Sequence, residues 1–223
     1  MAEKIILCWS GGKDSTQALY ELEQDPRYEP AVMLATVTAE YQRLSLHGVR
    51  LTLLERQAAA LGIPLHPVFV SRDGSNEEYE EKMRQALRDY LAQGMTTAAF
   101  GDLFLEEVRK YREEKLLLAG MQGIFPLWHR DTAQLARRFL AMGFKAVITC
   151  VDTHVLDQDF VGREYDARFL ADLPPGVDPC GENGEFHSFV YDGPLFSAPV
   201  AFTRGERLLT HDRFYFCDLV PGW

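Results

Sequence analysis

The chain has 223 residues, 47% of them hydrophobic, enough for one large domain, or one domain and a smaller appendage, around a sizeable core. Its 23 basic and 33 acidic residues leave a formal net charge of −10, a surface that repels nucleic acid phosphates and disfavours a free nucleic acid substrate. No apolar run approaches the roughly 18 residues needed to cross a bilayer, and Met1-Ala2-Glu3-Lys4 lacks the basic start and apolar stretch of a signal peptide, so a cytoplasmic protein is expected.

Short apolar runs alternate with amphipathic helices along the first two-thirds. Ile5 to Trp9 reads as a strand, and Ser15 to Glu23 as a helix with Ala18, Leu19 and Leu22 on one face, stopped by Asp25-Pro26. A second strand is expected over Ala31 to Thr38. A helix follows over Val49 to Leu61, with Leu51, Leu54, Ala58 and Leu61 inward and Gly62 closing it. Leu65 to Val70 is a third strand. Ser75-Asn76-Glu77-Glu78 has the form of a capping box and opens a helix that turns Tyr79, Met83, Leu87 and Tyr90 or Leu91 inward, ending at Gly94. Thr96 to Phe100 reads as a fourth strand, Leu103 to Leu117 as a charged helix, and Ala119 to Leu127 contains a fifth strand. The basic stretch Arg109 to Lys115 is diluted by Glu113 and Glu114, the pattern of a solvated face laced with ion pairs. This rhythm predicts an α/β fold: an open, mostly parallel sheet with helices on both faces.

Beyond Trp128 the texture changes. A helix over Thr132 to Met142 leads to a strand over Lys145 to Val151, and Pro and Gly then become frequent. The chain is expected to divide into residues 1–128, the sheet domain, and 129–223, a smaller, loop-rich α/β domain. The four cysteines are scattered without a CxxC pair, and Cys8 and Cys150 fall in strand-like runs where buried structural thiols are the plain reading.

Ser10-Gly11-Gly12-Lys13-Asp14-Ser15 lies between the first strand and the first helix. A helix start offers unpaired N–H groups and the positive end of its dipole. Two glycines let the backbone curl close to an anion, Ser10 and Ser15 can donate hydroxyl hydrogen bonds, and Lys13 adds a positive charge. Asp14 would be repelled by bare phosphate, and its presence is explained if it holds a magnesium ion that phosphate oxygens share. Neither a Walker loop nor a G-x-G-x-x-G occurs. The loop resembles the signature of the N-type PP-loop ATP pyrophosphatases, which bind the β and γ phosphates as a unit and transfer AMP to an acid or carbonyl-like oxygen.

A second cluster runs from Pro179 to Phe189. Here Glu182, Asn183, Glu185 and His187 crowd between glycines, a set able to bind an amine, orient an acyl intermediate or move protons. Asn183-Gly184 is also a strong turn signal, so composition alone leaves a polar hairpin open. This stretch, with the following Val190 to Phe196, resembles the second motif of the diphthine–ammonia ligase family. Gly101-Asp102, Pro126-Leu127-Trp128, Gly143-Phe144 and His47-Gly48-Val49 match it too, in the expected order.

The resemblance implies a nucleotide-binding α/β domain of the HUP type and a C-terminal domain completing the site. It further implies ATP with Mg²⁺ as cofactors and the amidation of a carboxylate by ammonia. By residue, Ser10, Gly11, Gly12, Lys13, Asp14 and Ser15, with Gly101 and Asp102, would bind the nucleotide, and Asp14 the metal. Glu182, Asn183 and Glu185 would face the acyl end or ammonia, and His187 would serve as an acid–base or orienting group. Asp102 could instead cap the next helix; His47, in a loop near the crevice, reads first as a structural or solvent-facing residue; and Trp128 either packs the domain junction, the plainer reading, or stacks on a ligand. The chain stops at Trp223 without the appended domains of long eukaryotic members, and its His47 segment is more like that of short bacterial ones, so the acceptor, a protein side chain or a metabolite, stays open. The rival readings are a PP-loop enzyme that adenylates a tRNA base and a nucleotide sensor without turnover.

Overall fold

The computed structural model describes residues 2–45 and 47–222; Met1, Leu46 and Trp223, the first and last residues of the chain among them, lie outside the described residues. Strand β1 (Glu3–Cys8) carries Ile5, Ile6 and Leu7, all fully buried, the continuous apolar run of a strand covered on both faces. It pairs in parallel with β2 (Tyr28–Thr38) on one side and β5 (Thr97–Ala99) on the other, and the sheet is completed by β4 (Leu65–Val70) beside β2 and β6 (Gln122–Ile124) beside β5, all parallel. The register of β1 against β2 slips between Ile5 and Ile6, opposite Pro30, which has no N–H to give the ladder. A two-residue strand, β3 (Arg43–Leu44), joins antiparallel to the end of β2; no periodicity can announce so short an element.

The faces of the sheet carry two separate cores. Ile5 and Leu7 point to one, with Leu19 of α1 (Lys13–Glu23), Leu54 of α2 (Leu51–Leu61) and Phe139 of α5 (Thr132–Ala141). Ile6 points to the other, with Leu87 of α3 (Asn76–Leu91) and Leu116 of α4 (Glu106–Leu118). The connection therefore changes face on passing from β2 and β4 to β5. The strand order reverses beside β1, so a crevice opens at the carboxyl ends of β1 and β5, the place where open α/β sheets bind ligands.

Helix ends follow the local chemistry. Gly62 closes α2 in the left-handed region at φ 72°. Ser75 Oγ caps α3 by accepting from Glu78 N, but the Glu78 carboxylate turns back to Ser71 rather than closing a reciprocal box. Helix α1 begins at Lys13, two residues before the expected start at Ser15, because its first turn is polar and lines the crevice. Helix α4 begins at Glu106, three residues later than the pattern suggests, leaving 101–105 outside the helix beside the crevice.

The C-terminal part is an α/β unit with a sheet of its own, larger than the single strand expected there. After α5, β7 (Lys145–Asp152) and β8 (Phe186–Asp192) flank the short α6 (Ala167–Asp172), and β9 (Phe202–Thr210) and β10 (Phe214–Pro221) form a long hairpin. The four strands make an antiparallel sheet in the order β8-β7-β10-β9. Its Phe186, Phe189 and Val190 enter the same core as α1 and α2, so the second sheet packs on one face of the first and brings β8 against the start of α1. No helix among the described residues is long and apolar enough to cross a membrane.

Candidate active site

The loop after β1 is held from three sides. Gly11 has φ 68°, and a Cβ there would lie 2.7 Å from Leu54 Cδ2, so this turn can approach α2 only as glycine. Gln57, fully buried on α2, accepts from Trp9 Nε1 (2.7 Å) and donates through Nε2 to the carbonyls of Gly11 (3.0 Å) and Val190 (2.6 Å). From β8, Val190 N donates to Gly11 O (2.9 Å), and Ser188 Oγ accepts from Lys13 N (3.2 Å). Within the loop, Ser15 Oγ donates to Gly12 O (3.0 Å) and lies 3.0 Å from Ser10 Oγ. At Gly101, just past β5, a Cβ would fall 2.8 to 3.0 Å from the backbone of Asp14 and Ser15. Among the described residues the N–H groups of Asp14 and Ser15, in the first turn of α1, have no protein acceptor. A fixed loop with free donors at a helix N-terminus is an anion site.

Beside it lies a cavity of about 810 Å³, and the 181–188 segment closes one wall. Of the residues singled out in the sequence, Ser10, Gly12, Lys13, Asp14, Ser15, Gly101, Asp102, Glu182 and His187 line it. Gly11 sits beneath, against α2. Asn183 and Glu185 do not reach it, because Glu185 is buried in its own loop, accepting from Asp178 N (3.1 Å), Asn183 N (3.0 Å) and Asn183 Nδ2 (2.9 Å). The Asn183-Gly184 turn is thus part of a wound loop before β8 rather than the tip of a strand hairpin.

The charged groups of the cavity are mutually dependent. Lys13 is 3% exposed, its Nζ 2.9 Å from Asp14 Oδ2 and 5.1 Å from the centre of the Phe186 ring. Burial acts to lower its pKa, but the Asp14 carboxylate, with Cys180 and Glu182 adding, offsets this and the net direction is upward. Burial raises Asp14 against the pull of Lys13, and its Oδ1 is buried without a partner. Asp102 does not cap a helix; its Oδ2 lies 2.8 Å from Arg112 Nε on α4, and burial raises its pKa. Glu182 Oε1 accepts from Leu103 N (2.8 Å), yet burial, with Asp14 and Asp102 adding, brings its pKa up to about 7. Burial and the Lys13 charge hold His187 down to about 4.

Several residues at or beside the cavity had weak sequence signals. His47 lines the cavity with its ring centre 4.2 Å from that of His187, a contact between residues far apart in the chain. Gln57 stands at an inward position of the Leu54, Ala58, Leu61 stripe, and a lone amide in an apolar stripe is the sign that could have found it. Ser188 had none beyond its place in the second cluster. Trp128 lies edge-on to Phe125 and under Arg109. Burial pushes the thiols of Cys8 and Cys150 up to about 12, which makes them unreactive. Along α4, Arg109 pairs with Glu113, Lys110 with Glu114 and Lys115 with Glu80, an ion-paired outer face.

Residues 3–122 match the family model described as diphthamide synthase N-terminal domain, and residues 131–219 the one described as diphthamide synthase C-terminal domain. The chain is similar to the diphthine–ammonia ligase of Bos taurus, 25% identical over 195 residues that make up 84% of this chain and 71% of that one. It is also similar to those of Homo sapiens (25% identical, covering 78% and 66%) and Danio rerio (24% identical, covering 81% and 72%). It spans about two-thirds of the human protein's length. The two matches account for both sheets, with the loop in one and the 181–188 wall in the other, and the chain belongs to the diphthamide synthase family, that of the diphthine–ammonia ligases.

Proposed function

We propose that the protein is an ATP-dependent carbon–nitrogen ligase that adenylates a carboxylate, releasing pyrophosphate, and then amidates it with ammonia, as the names of its relatives suggest. The observation that carries this reading is the placement of Glu182 and His187 over the same cavity as the loop whose Asp14 and Ser15 N–H groups are free. The loop N–H groups and Lys13 would receive the β and γ phosphates and hold them as the acceptor carboxylate attacks the α-phosphorus in line. A free carboxylate is a poor acyl donor, and the mixed anhydride with AMP gives its carbon a leaving group. Glu182, near neutrality in its pKa and lining the same cavity, is suited to face the acyl end of the acceptor in either protonation state.

Mg²⁺ fits the residues present. Among the described residues no three His, Cys, Asp or Glu side chains gather to hold a metal by themselves, but magnesium commonly takes one or two carboxylates and completes its shell with phosphate and water. The orphaned Asp14 Oδ1 would be that carboxylate ligand. Bound there with ATP, the ion would neutralise charge on the departing pyrophosphate. We read residues 1–128 as the nucleotide-binding part and 129–223 as the part completing the acceptor site, and take a diphthine-bearing elongation factor as the first acceptor to try.

An acceptor labelled with ¹⁸O in its carboxylate tests the adenylation. One labelled oxygen should appear in AMP for each amide formed. Amide without label in AMP would exclude an acyl-adenylate.

A further inference from the structure

His47 follows β3 and His187 stands on β8, yet their rings meet on one wall of the cavity, centres 4.2 Å apart and planes inclined by 38°. His47 Nδ1 is buried and has no partner among the described residues, and buried polar atoms in folded proteins nearly always have one. Both partners are firmly placed. The His47 loop is clamped on β10: Arg43 and Arg50 grip the Asp218 carboxylate at 2.7 and 2.6 Å, and Gly48 lies against the Phe216 ring. His187 precedes Ser188, which holds the Lys13 amide.

Two imidazolium ions stacked at this distance, next to Lys13, would repel one another. Burial, with the charge of Lys13, keeps His187 down to about 4, and burial, His187 and Lys13 keep His47 well below its ordinary value. At neutral pH the pair is therefore uncharged, and each ring offers a lone pair as well as an N–H. That corner of the cavity disfavours cations and suits a small neutral hydrogen-bond donor. The loop around Glu185, expected from the sequence to meet the amine, is closed on itself.

We propose that His47 and His187 form the ammonia subsite, their ring nitrogens accepting N–H hydrogen bonds from NH₃ and so selecting it over ammonium. This assignment rests on the ligase reading. In the step it serves, the ammonia lone pair forms the new C–N bond at the acyl carbon while the carbonyl π pair moves to oxygen. One N–H proton passes to an imidazole nitrogen, the C=O re-forms, and the C–O bond to AMP breaks with its electron pair leaving on AMP. The imidazolium then returns its proton to solvent, and no further reactant is needed.

Two measurements test the pair. With ¹⁵N-labelled histidine, titration of the wild-type protein with ammonium chloride should shift the ring nitrogens of His47 and His187 saturably. It should leave His66, which lies outside the cavity, unmoved, and potassium chloride should do nothing. Absence of a specific shift at either ring overturns the proposal, whatever the fate of the ligase reading. In kinetics, His47→Phe and His187→Phe keep a flat ring and remove its nitrogens. Each should raise the KM for ammonia at least tenfold, while the KM for ATP stays within threefold and ATP–pyrophosphate exchange persists. Loss of exchange with a raised KM for ATP would assign the rings to the phosphates and overturn the ammonia subsite, as would an unchanged KM for ammonia. A wild-type protein that gives no exchange with any acceptor would instead sink the ligase reading, and the titration separates that failure from this one.

Discussion

A methyl group added at Gly101 would lie 2.8 Å from Asp14 C, 2.9 Å from Ser15 N and 3.0 Å from Asp14 O. All three are backbone atoms at the start of α1, in the proposed phosphate loop, so no side chain can swing aside. Restoring ordinary van der Waals contact requires a relative shift approaching 1 Å between the end of β5 and the start of α1. Overpacking of this kind costs about 1–3 kcal/mol, against a total stability on the order of 5–15 kcal/mol, so Gly101→Ala should still fold. The free N–H groups of Asp14 and Ser15 are the ones displaced, and a misplacement of about 1 Å in a positioned site costs on the order of 100-fold. Calorimetric titration with MgATP, read beside a thermal melt, should show a melt lowered by a few degrees and affinity reduced by one to two orders of magnitude. A variant that binds MgATP within twofold of wild type would refute the view that this loop, in this position, is the phosphate site.

Other consequences follow from the same contacts. Gln57→Leu strands the Trp9 indole N–H and the Val190 carbonyl, while Gly11 O keeps Val190 N. At about 1–3 kcal/mol for each buried group left unpaired, chemical denaturation should show a loss of roughly 2–6 kcal/mol; a loss under about 0.5 kcal/mol would contradict the bracing role. Glu182 has a folded pKa of about 7, above its unfolded value of 4.5, so its protonated form favours the fold below 4.5 and that advantage disappears as pH rises towards 7. Relative to Glu182→Gln, the wild-type protein should lose stability across that window and run parallel above it, and melts that run parallel from pH 4 to 8 would count against a buried Glu182. Asp218, held down to about 2 chiefly by its hydrogen bonds from Arg50, behaves oppositely: its contribution is present above about 4 and is lost as pH falls through 2. Asp218→Asn should cost about 1–2 kcal/mol at neutral pH for a half-buried network, and an equal cost at pH 2 would reject that origin.

What the sequence made legible was what is contiguous. The Ser10 to Ser15 loop stood out because a candidate phosphate loop at a strand–helix junction is written in successive residues, and the parallel sheet because its strands are short apolar runs between striped helices. The hairpin of β9 and β10 escaped because β9 is exposed on both faces and carries Arg204, Glu206 and Arg207 where an apolar alternation would have marked it. The pairing of His47 with His187, and the bridge from Gln57 to Val190, join residues that approach only when the second sheet packs on the first. Glu185 shows the reverse difficulty: composition marked it as chemistry, whereas its carboxylate binds the turn that carries it.

The nucleotide product tests the central claim most directly. With ATP, Mg²⁺, ammonium and a diphthine-bearing elongation factor, phosphorus NMR should show AMP and pyrophosphate accumulating in equal amounts, only when the acceptor is present, and neither with Asp14→Ala. ADP and inorganic phosphate as the products would contradict adenylation and the loop's role as a cradle for pyrophosphate.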